Sequence, residues 1–190
     1  PAKAEDVNLK AMLTMKCALP GVPVGYSDHT LGIEISIASV AMGGTMVEKH
    51  FTLDNNAEGP DHPFSMNPTT WREMVDATRA VEKDLKEDMT YDQRIELIRP
   101  YVDMDELEAS LGDGIKRIED NEKDTCVVQR RAICTKTDLP AGHILTEADL
   151  FPLRPAIKGG LQPYQTDLAV GKKLGKDYAK GEMLRPSDIK

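Results

Sequence analysis

The chain has 190 residues, with 32 Asp and Glu against 24 Lys and Arg, a formal charge of −8, and 40% hydrophobic but only 5% aromatic residues. No run approaches the roughly 18 apolar residues of a membrane-spanning helix, and no basic start precedes an apolar stretch, so neither an integral membrane protein nor a secretory leader is expected. The negative balance argues against a general nucleic-acid surface. Three cysteines, Cys17, Cys126 and Cys134, are odd in number and lack metal-type spacing. They read as reduced thiols and point to a cytoplasmic protein. Position 1 is Pro rather than Met, which suggests sequence missing upstream.

Charge divides the chain. Residues 1–82 carry a net −5, residues 83–124 a net −7, and residues 125–190 a net +4. The acidic middle holds two helix-like pieces, Tyr91–Ile98 and Met104–Leu111, on either side of Pro100. It reads as a solvated helical connector over 84–124 between a first domain, 1–83, and a second, 125–190.

In the first domain, Ala11, Met15 and Leu19 recur at steps of four, predicting a helix over Val7–Leu19 closed by Pro20-Gly21. The apolar run Val22–Tyr26 suits a buried strand. Leu31–Met42 predicts a second helix stopped at Gly43-Gly44, and Thr45–Phe51 a second strand. After a polar loop from Asp54 to Pro68, Thr69 or Thr70 would cap a third helix beginning at Trp71. Helix–strand–helix–strand–helix order implies parallel strands with crossover connections. Two strands make only a piece of an α/β domain, either a (β/α)8 barrel or an open doubly wound sheet.

The polar residues on these strands carry the chemistry. Side chains alternate along Thr45–Phe51, so Glu48 and His50 share one face, where an unpaired charge is costly. His29 ends the first strand and His50 the second. Adjacent parallel strands lie about 4.8 Å apart, so the two imidazoles are placed to converge on one divalent cation, Mn²⁺, Mg²⁺ or Zn²⁺. Strand carboxyl ends hold the active site in both architectures. The loop Glu58-Gly-Pro-Asp61-His62 reads equally as a cover for that site or as a turn with a solvated Asp.

The second domain contains a repeat. Asp138, Gly142, Leu145 and Asp149 recur as Asp177, Gly181, Leu184 and Asp188, at one constant offset of 39 residues. Each copy predicts a glycine turn, an apolar strand and a short capped helical turn, in a small β-rich domain of pseudo-twofold form. Val127-Val128 and Ala132–Cys134 suggest a further strand. Arg154 lies between Pro152 and Pro155, a stiff setting that suits presentation of a guanidinium to an anion or carbonyl, although spacing alone favours an ordinary surface arginine.

Taken together, Gly25-Tyr-Ser-Asp-His-Thr-Leu-Gly32, Val47-Glu-Lys-His-Phe-Thr52 and Gly59-Pro-Asp61 resemble the last third of sialic acid synthase catalytic domains. The repeat domain is similar to the antifreeze-like (SAF, β-clip) domain that follows the barrel in that family. The resemblance implies the C-terminal portion of a (β/α)8 TIM barrel followed by a SAF domain. It also implies a transferase that condenses phosphoenolpyruvate with an N-acetylmannosamine-type aminosugar with the help of Mn²⁺ or Mg²⁺. By motif, His29 and His50 would be the metal ligands, Ser27 would hold phosphoenolpyruvate, Glu48 would be the catalytic carboxylate, and Asp61 would bind sugar hydroxyls. Arg154 would reach the sugar's N-acetyl group in the partner's active site, across a domain-swapped homodimer with the SAF domain over that site. Because six barrel strands are absent, the 190-residue piece is expected to be inactive alone. Legionaminic, pseudaminic or 6-phospho acceptors would use the same chemistry. A reading of another class is a stand-alone antifreeze-like binding module.

Overall fold

A computed structural model describes all 190 residues, Pro1 to Lys190. The chain divides into two compact units, Pro1–Arg117 and Ile118–Lys190.

The first unit opens with helix α1 (Lys10–Ala18), which buries Ala11 and Met12. Strand β1 (Tyr26–Asp28), helix α2 (Glu34–Ala41), strand β2 (Val47–Lys49) and helix α3 (Pro68–Asp84) follow. The two strands are parallel neighbours, with Tyr26 opposite Val47, Ser27 opposite Glu48 and Asp28 opposite Lys49. Helix α2 joins them and is buried on nearly every side, through Ile35, Ser36, Ile37, Ala38, Ser39 and Ala41. A helix apolar almost all round belongs in the middle of a core, and α2 packs against α3 and α4 (Tyr91–Ile98). Gly25 is required by the closeness of the strands: a Cβ there would lie 2.5 Å from the Met46 carbonyl oxygen, the group that accepts the Tyr26 N–H at 2.9 Å. This sheet has two strands, a single βαβ unit rather than a closed barrel.

Three local features depart from the expected pattern. The expected strand at Val22–Tyr26 moves to Tyr26–Asp28, because ladder pairing with Val47–Lys49 decides where the strand lies; in the apolar run ahead of it, Val24 is buried while Val22 is exposed. Helix α3 is capped by Asn67 rather than by Thr69 or Thr70. The Asn67 side chain accepts from the Thr69 and Thr70 N–H groups while Thr70 Oγ1 accepts the Asn67 N–H, and Pro68 takes the first helical position. Such a cap contributes about 1 kcal/mol, and proline suits that position because no donor is lost there.

The third departure is the acidic segment 84–124. Its helices α4 and α5 (Met104–Leu111) have the expected bounds, but they are not a solvated connector. Ile98 and Leu107 are buried in the same core as Leu9, Ile35, Ile37 and Val81, with Ile95, Leu97 and Leu111 packed against it. Asn8 fastens the far end: its Oδ1 accepts from the Gly114 N–H at 2.9 Å and its Nδ2 donates to the Ile115 carbonyl at 3.0 Å. The charge lies on the outer faces of these helices, and their inner stripe completes the first unit through Arg117.

In the second unit, helix α6 (Lys123–Gln129) takes in Val127 and Val128, which were expected in a strand. Both side chains are exposed, and no neighbouring strand pairs with this segment, so its local backbone hydrogen bonds are helical. Strand β3 (Ala132–Thr135), buried throughout, runs antiparallel to β4 (Leu150–Leu153). A short helix, α7 (Thr166–Ala169), follows.

The repeat is a physical pseudo-twofold. The Leu139 and Tyr178 backbones exchange two hydrogen bonds of 2.8 Å each. Asp138 accepts from the Lys180 N–H and Asp177 from the Ala141 N–H, both at 2.7 Å. Gly142 N–H reaches Leu174 O while Gly181 N–H reaches Thr135 O, and Lys136 N–H reaches Asp149 O while Gly175 N–H reaches Asp188 O. Every partner is displaced by the repeat offset. Between the copies lies a core of Ile133, Leu139, Leu145, Leu150, Leu161, Ala169, Leu174, Tyr178 and Leu184.

Candidate functional site

The register of β1 and β2 sorts their polar residues onto two faces. On one, Asp28 and Lys49 stand opposite each other and are buried, with side chains 0% and 3% exposed and 2.8 Å apart. On the other, Ser27 and Glu48 stand opposite each other, both exposed. His29 and His50 immediately follow the two strands on this second side. Side-chain alternation produces the division: Ser27 and His29 flank Asp28, and Glu48 and His50 flank Lys49.

On the open face the four side chains gather. Ser27 Oγ donates to Glu48 Oε1 at 2.7 Å and lies 3.5 Å from His29 Nε2. The His29 and His50 rings are 5.1 Å apart between centroids and inclined at 64°. Phe64 packs 5.5 Å from His50. Asp61 joins from the loop after β2, with Oδ2 3.7 Å from His50 Nδ1.

That loop is tied down by side chains. Asn55 Nδ2 donates to the carbonyls of His62 and Ser65, and Asn55 Oδ1 accepts from Asn67 Nδ2 at 2.9 Å. Thr52 Oγ1 pairs with His62 Nδ1 at 2.7 Å, and Ser65 Oγ donates to the Asp61 carbonyl at 2.6 Å. Asn55 thus couples the loop bearing Asp61 to the cap of α3.

Five of the six residues singled out from sequence therefore meet: Ser27, His29, Glu48, His50 and Asp61. Arg154 belongs to the second unit, where it is exposed, just past the end of β4 and ahead of Pro155. No group of three or more His, Cys, Asp or Glu side chains is gathered to hold a metal ion. The 5.1 Å centroid separation of the two imidazoles is compatible with ligation of one ion at about 2.0–2.2 Å from each ring. Such a centre would complete its shell with water or substrate, the open arrangement of a catalytic site rather than the closed one of a structural site.

Asp28 and Lys49 do work that the sequence pattern did not disclose. Asp28 Oδ1 accepts from the Thr30 N–H at 2.9 Å and Thr30 Oγ1 at 2.7 Å, while Oδ2 accepts from Ser36 Oγ at 2.7 Å and from Lys49 Nζ. Lys49 Nζ also donates to the Thr30 carbonyl at 2.7 Å. The available signal was a lysine and an aspartate on buried-face positions of adjacent strands, where each needs the other.

Residues 1–90 match the NeuB family model and residues 130–190 the SAF domain model. An N,N'-diacetyllegionaminic acid synthase of Campylobacter jejuni is 35% identical over 97% of this chain and 47% of its own length. Human N-acetylneuraminate-9-phosphate synthase is 30% identical over 92% of this chain and 41% of its own. The crystal structure of the Bacillus subtilis spore coat polysaccharide biosynthesis protein SpsE superposes with a TM-score of 0.79 at 30% identity, covering all of this chain and 50% of that one. The chain spans about half the length of the curated relatives it matches. It belongs to the NeuB family, the sialic acid synthase-type proteins, over residues 1–90 and carries a SAF domain over residues 130–190.

Proposed function

We propose that these residues serve a metal-dependent condensation of phosphoenolpyruvate with an aminosugar and water, in which C3 of phosphoenolpyruvate bonds to the sugar's aldehyde carbon, water adds at C2 and phosphate leaves, giving a nonulosonic acid, and that the open sheet face is one wall of that active site. The carrying observation is the convergence of Ser27, His29, Glu48 and His50 on one exposed face with the two rings 5.1 Å apart. The names of the relatives, synthases of legionaminic and neuraminic acids, support the same reaction class. The complete enzyme would be a cytoplasmic (β/α)8 barrel with a SAF domain.

His29 and His50 would hold Mn²⁺ or Mg²⁺, which when bound polarises the acceptor's aldehyde oxygen. The protein's own groups do the rest. The Ser27 hydroxyl, which now donates to Glu48, would turn to phosphoenolpyruvate. Glu48, freed of that bond, would take or steady a proton beside the reacting carbons. Asp61 would accept from sugar hydroxyls, its loop held by Asn55. Arg154 would donate to the sugar's N-acetyl carbonyl in a partner subunit's site, in a domain-swapped homodimer. Lys49, the lysine on these strands, is turned to the buried face, so the anionic phosphate needs bases from elsewhere in the barrel, and the 190-residue chain by itself would be inactive.

The test is phosphate release from phosphoenolpyruvate by the complete protein with Mn²⁺ and a panel of N-acetylated and diacetylated aminosugars. His29→Ala and His50→Ala each lower the rate at least a hundredfold. Wild-type rates in both variants, or phosphate release by the 190-residue chain alone, overturn the corresponding part of the reading.

A further inference from the structure

The Lys49–Asp28 contact lies on the side of the sheet away from the candidate chemistry, yet its two residues are chain neighbours of the four site residues on these strands. Lys49 stands between Glu48 and His50, and Asp28 between Ser27 and His29. The ammonium holds the Asp28 carboxylate on one side of His29 and the Thr30 carbonyl on the other, at 2.8 and 2.7 Å. His29 is thereby pinned at both neighbours by the residue that precedes His50.

The strands themselves specify little of this. Their ladder is three residue pairs long, with polar residues on both faces, and strands of that kind hold their register weakly. A slip of one residue in either strand would turn that strand's site residues, Ser27 and His29 or Glu48 and His50, to the buried side and separate Asp28 from Lys49. A buried ion pair adds little net stability over apolar residues of similar volume, because desolvation offsets the attraction. Its directional bonds, however, single out one register. Here they are complete: both Asp28 oxygens are occupied twice, and no buried side-chain N or O atom in the chain lacks a partner.

We infer that Lys49 and Asp28 are positioning residues whose buried pair sets the spacing of the His29 and His50 imidazoles. The inference rests on the proposed use of those two histidines as metal ligands, and it assigns a site role to two residues that touch neither metal nor substrate.

Lys49→Met alone strands a buried carboxylate and risks unfolding, so the test uses the charge-neutral double variant Asp28→Asn with Lys49→Met in the full chain. The first measurement is the ¹H–¹⁵N imidazole signals of His29 and His50 without metal. Both sets shift and broaden in the double variant. Ser36→Ala, which removes one Asp28 bond but leaves the Lys49 link, keeps them in place. Unchanged signals in the double variant overturn the inference, as does an equal disturbance by Ser36→Ala, which would mark a merely structural role.

The second measurement is Mn²⁺ affinity by titration, with His29→Ala as reference. The double variant binds about tenfold more weakly than wild type, as when a partner that orients a metal ligand is lost. Wild-type affinity in the double variant counts against positioning. Undiminished binding by His29→Ala overturns the metal reading instead, and the metal-free imidazole signals still decide the role of Lys49 and Asp28.

Discussion

The two units of this chain satisfy their polar groups in opposite ways. In the second unit, hydrogen bonds answer one another across a pseudo-twofold, and the repeat closes on its own core. In the first unit, one sheet face is sealed by Asp28 and Lys49 while the other leaves Ser27, His29 and Glu48 exposed, with Met46, two residues before Glu48, 65% exposed. The second unit is symmetric in its bonds; the first is not, and its open face carries the proposed site.

The largest expected effects test whether each core is as complete as this contrast requires. Ile98 in the first unit and Leu184 in the second are fully buried. Truncating either to Ala removes apolar contacts and leaves a cavity, at about 2–5 kcal/mol. Urea unfolding measures the loss, and amide exchange locates it within the unit that carries the substitution. A cost below about 0.5 kcal/mol for Ile98→Ala would return the acidic helices to the status of a solvated connector.

A smaller effect sharpens the symmetry itself. Asp138 and Asp177 each accept one backbone N–H from the opposite copy of the repeat, at the same 2.7 Å. Replacing either with Ala should cost about 1 kcal/mol, the net worth of such a bond. The two costs should agree within about 0.5 kcal/mol in thermal or urea unfolding. A clear inequality would show that one turn is held by something other than the repeated bond.

Much of this organisation was legible because it is local or periodic. The 39-residue offset is written in identical residue types, and the helices at 91–98 and 104–111 stand out as helix-like pieces on either side of Pro100. The strand-end histidines follow from the alternation of strands and helices. Features made by distant partners were hidden. Ser27 and Asp28 form a strand only because Glu48 and Lys49 lie opposite them, whereas the apolar run ahead of them ends at Tyr26. The charge of residues 84–124 outweighed Ile98 and Leu107 in a reading by composition, although those two side chains decide where the segment packs. The cap at Asn67 is marked by Pro68, which suits the first position of a helix and leaves Thr69 and Thr70 inside the first turn.

The smallest expected effect separates the two copies of the repeat by pH. In the first, the Asp149 carboxylate accepts from His143 Nε2 at 3.0 Å and from the Thr146 N–H and hydroxyl, and its pKa is pulled down to about 2, chiefly by the His143 bond. An unfolded Asp titrates near 4, so this contribution is present above about pH 4 and lost as pH falls toward 2. In the second copy, Tyr178 donates to Asp188 at 2.8 Å, and burial pushes the phenol above its ordinary range. An unfolded tyrosine ionises near pH 10, so the folded unit loses stability as pH rises beyond that point, while Tyr178 is held neutral. Asp149→Asn should flatten the acid limb of stability against pH and leave the alkaline limb unchanged. Tyr178→Phe should flatten the alkaline limb and also weaken the acid one slightly, because the Tyr178 bond helps hold the Asp188 carboxyl below its usual range. If Asp149→Asn flattened both limbs, the copies would be electrostatically coupled, and the twofold arrangement of the backbone would extend to the charges as well.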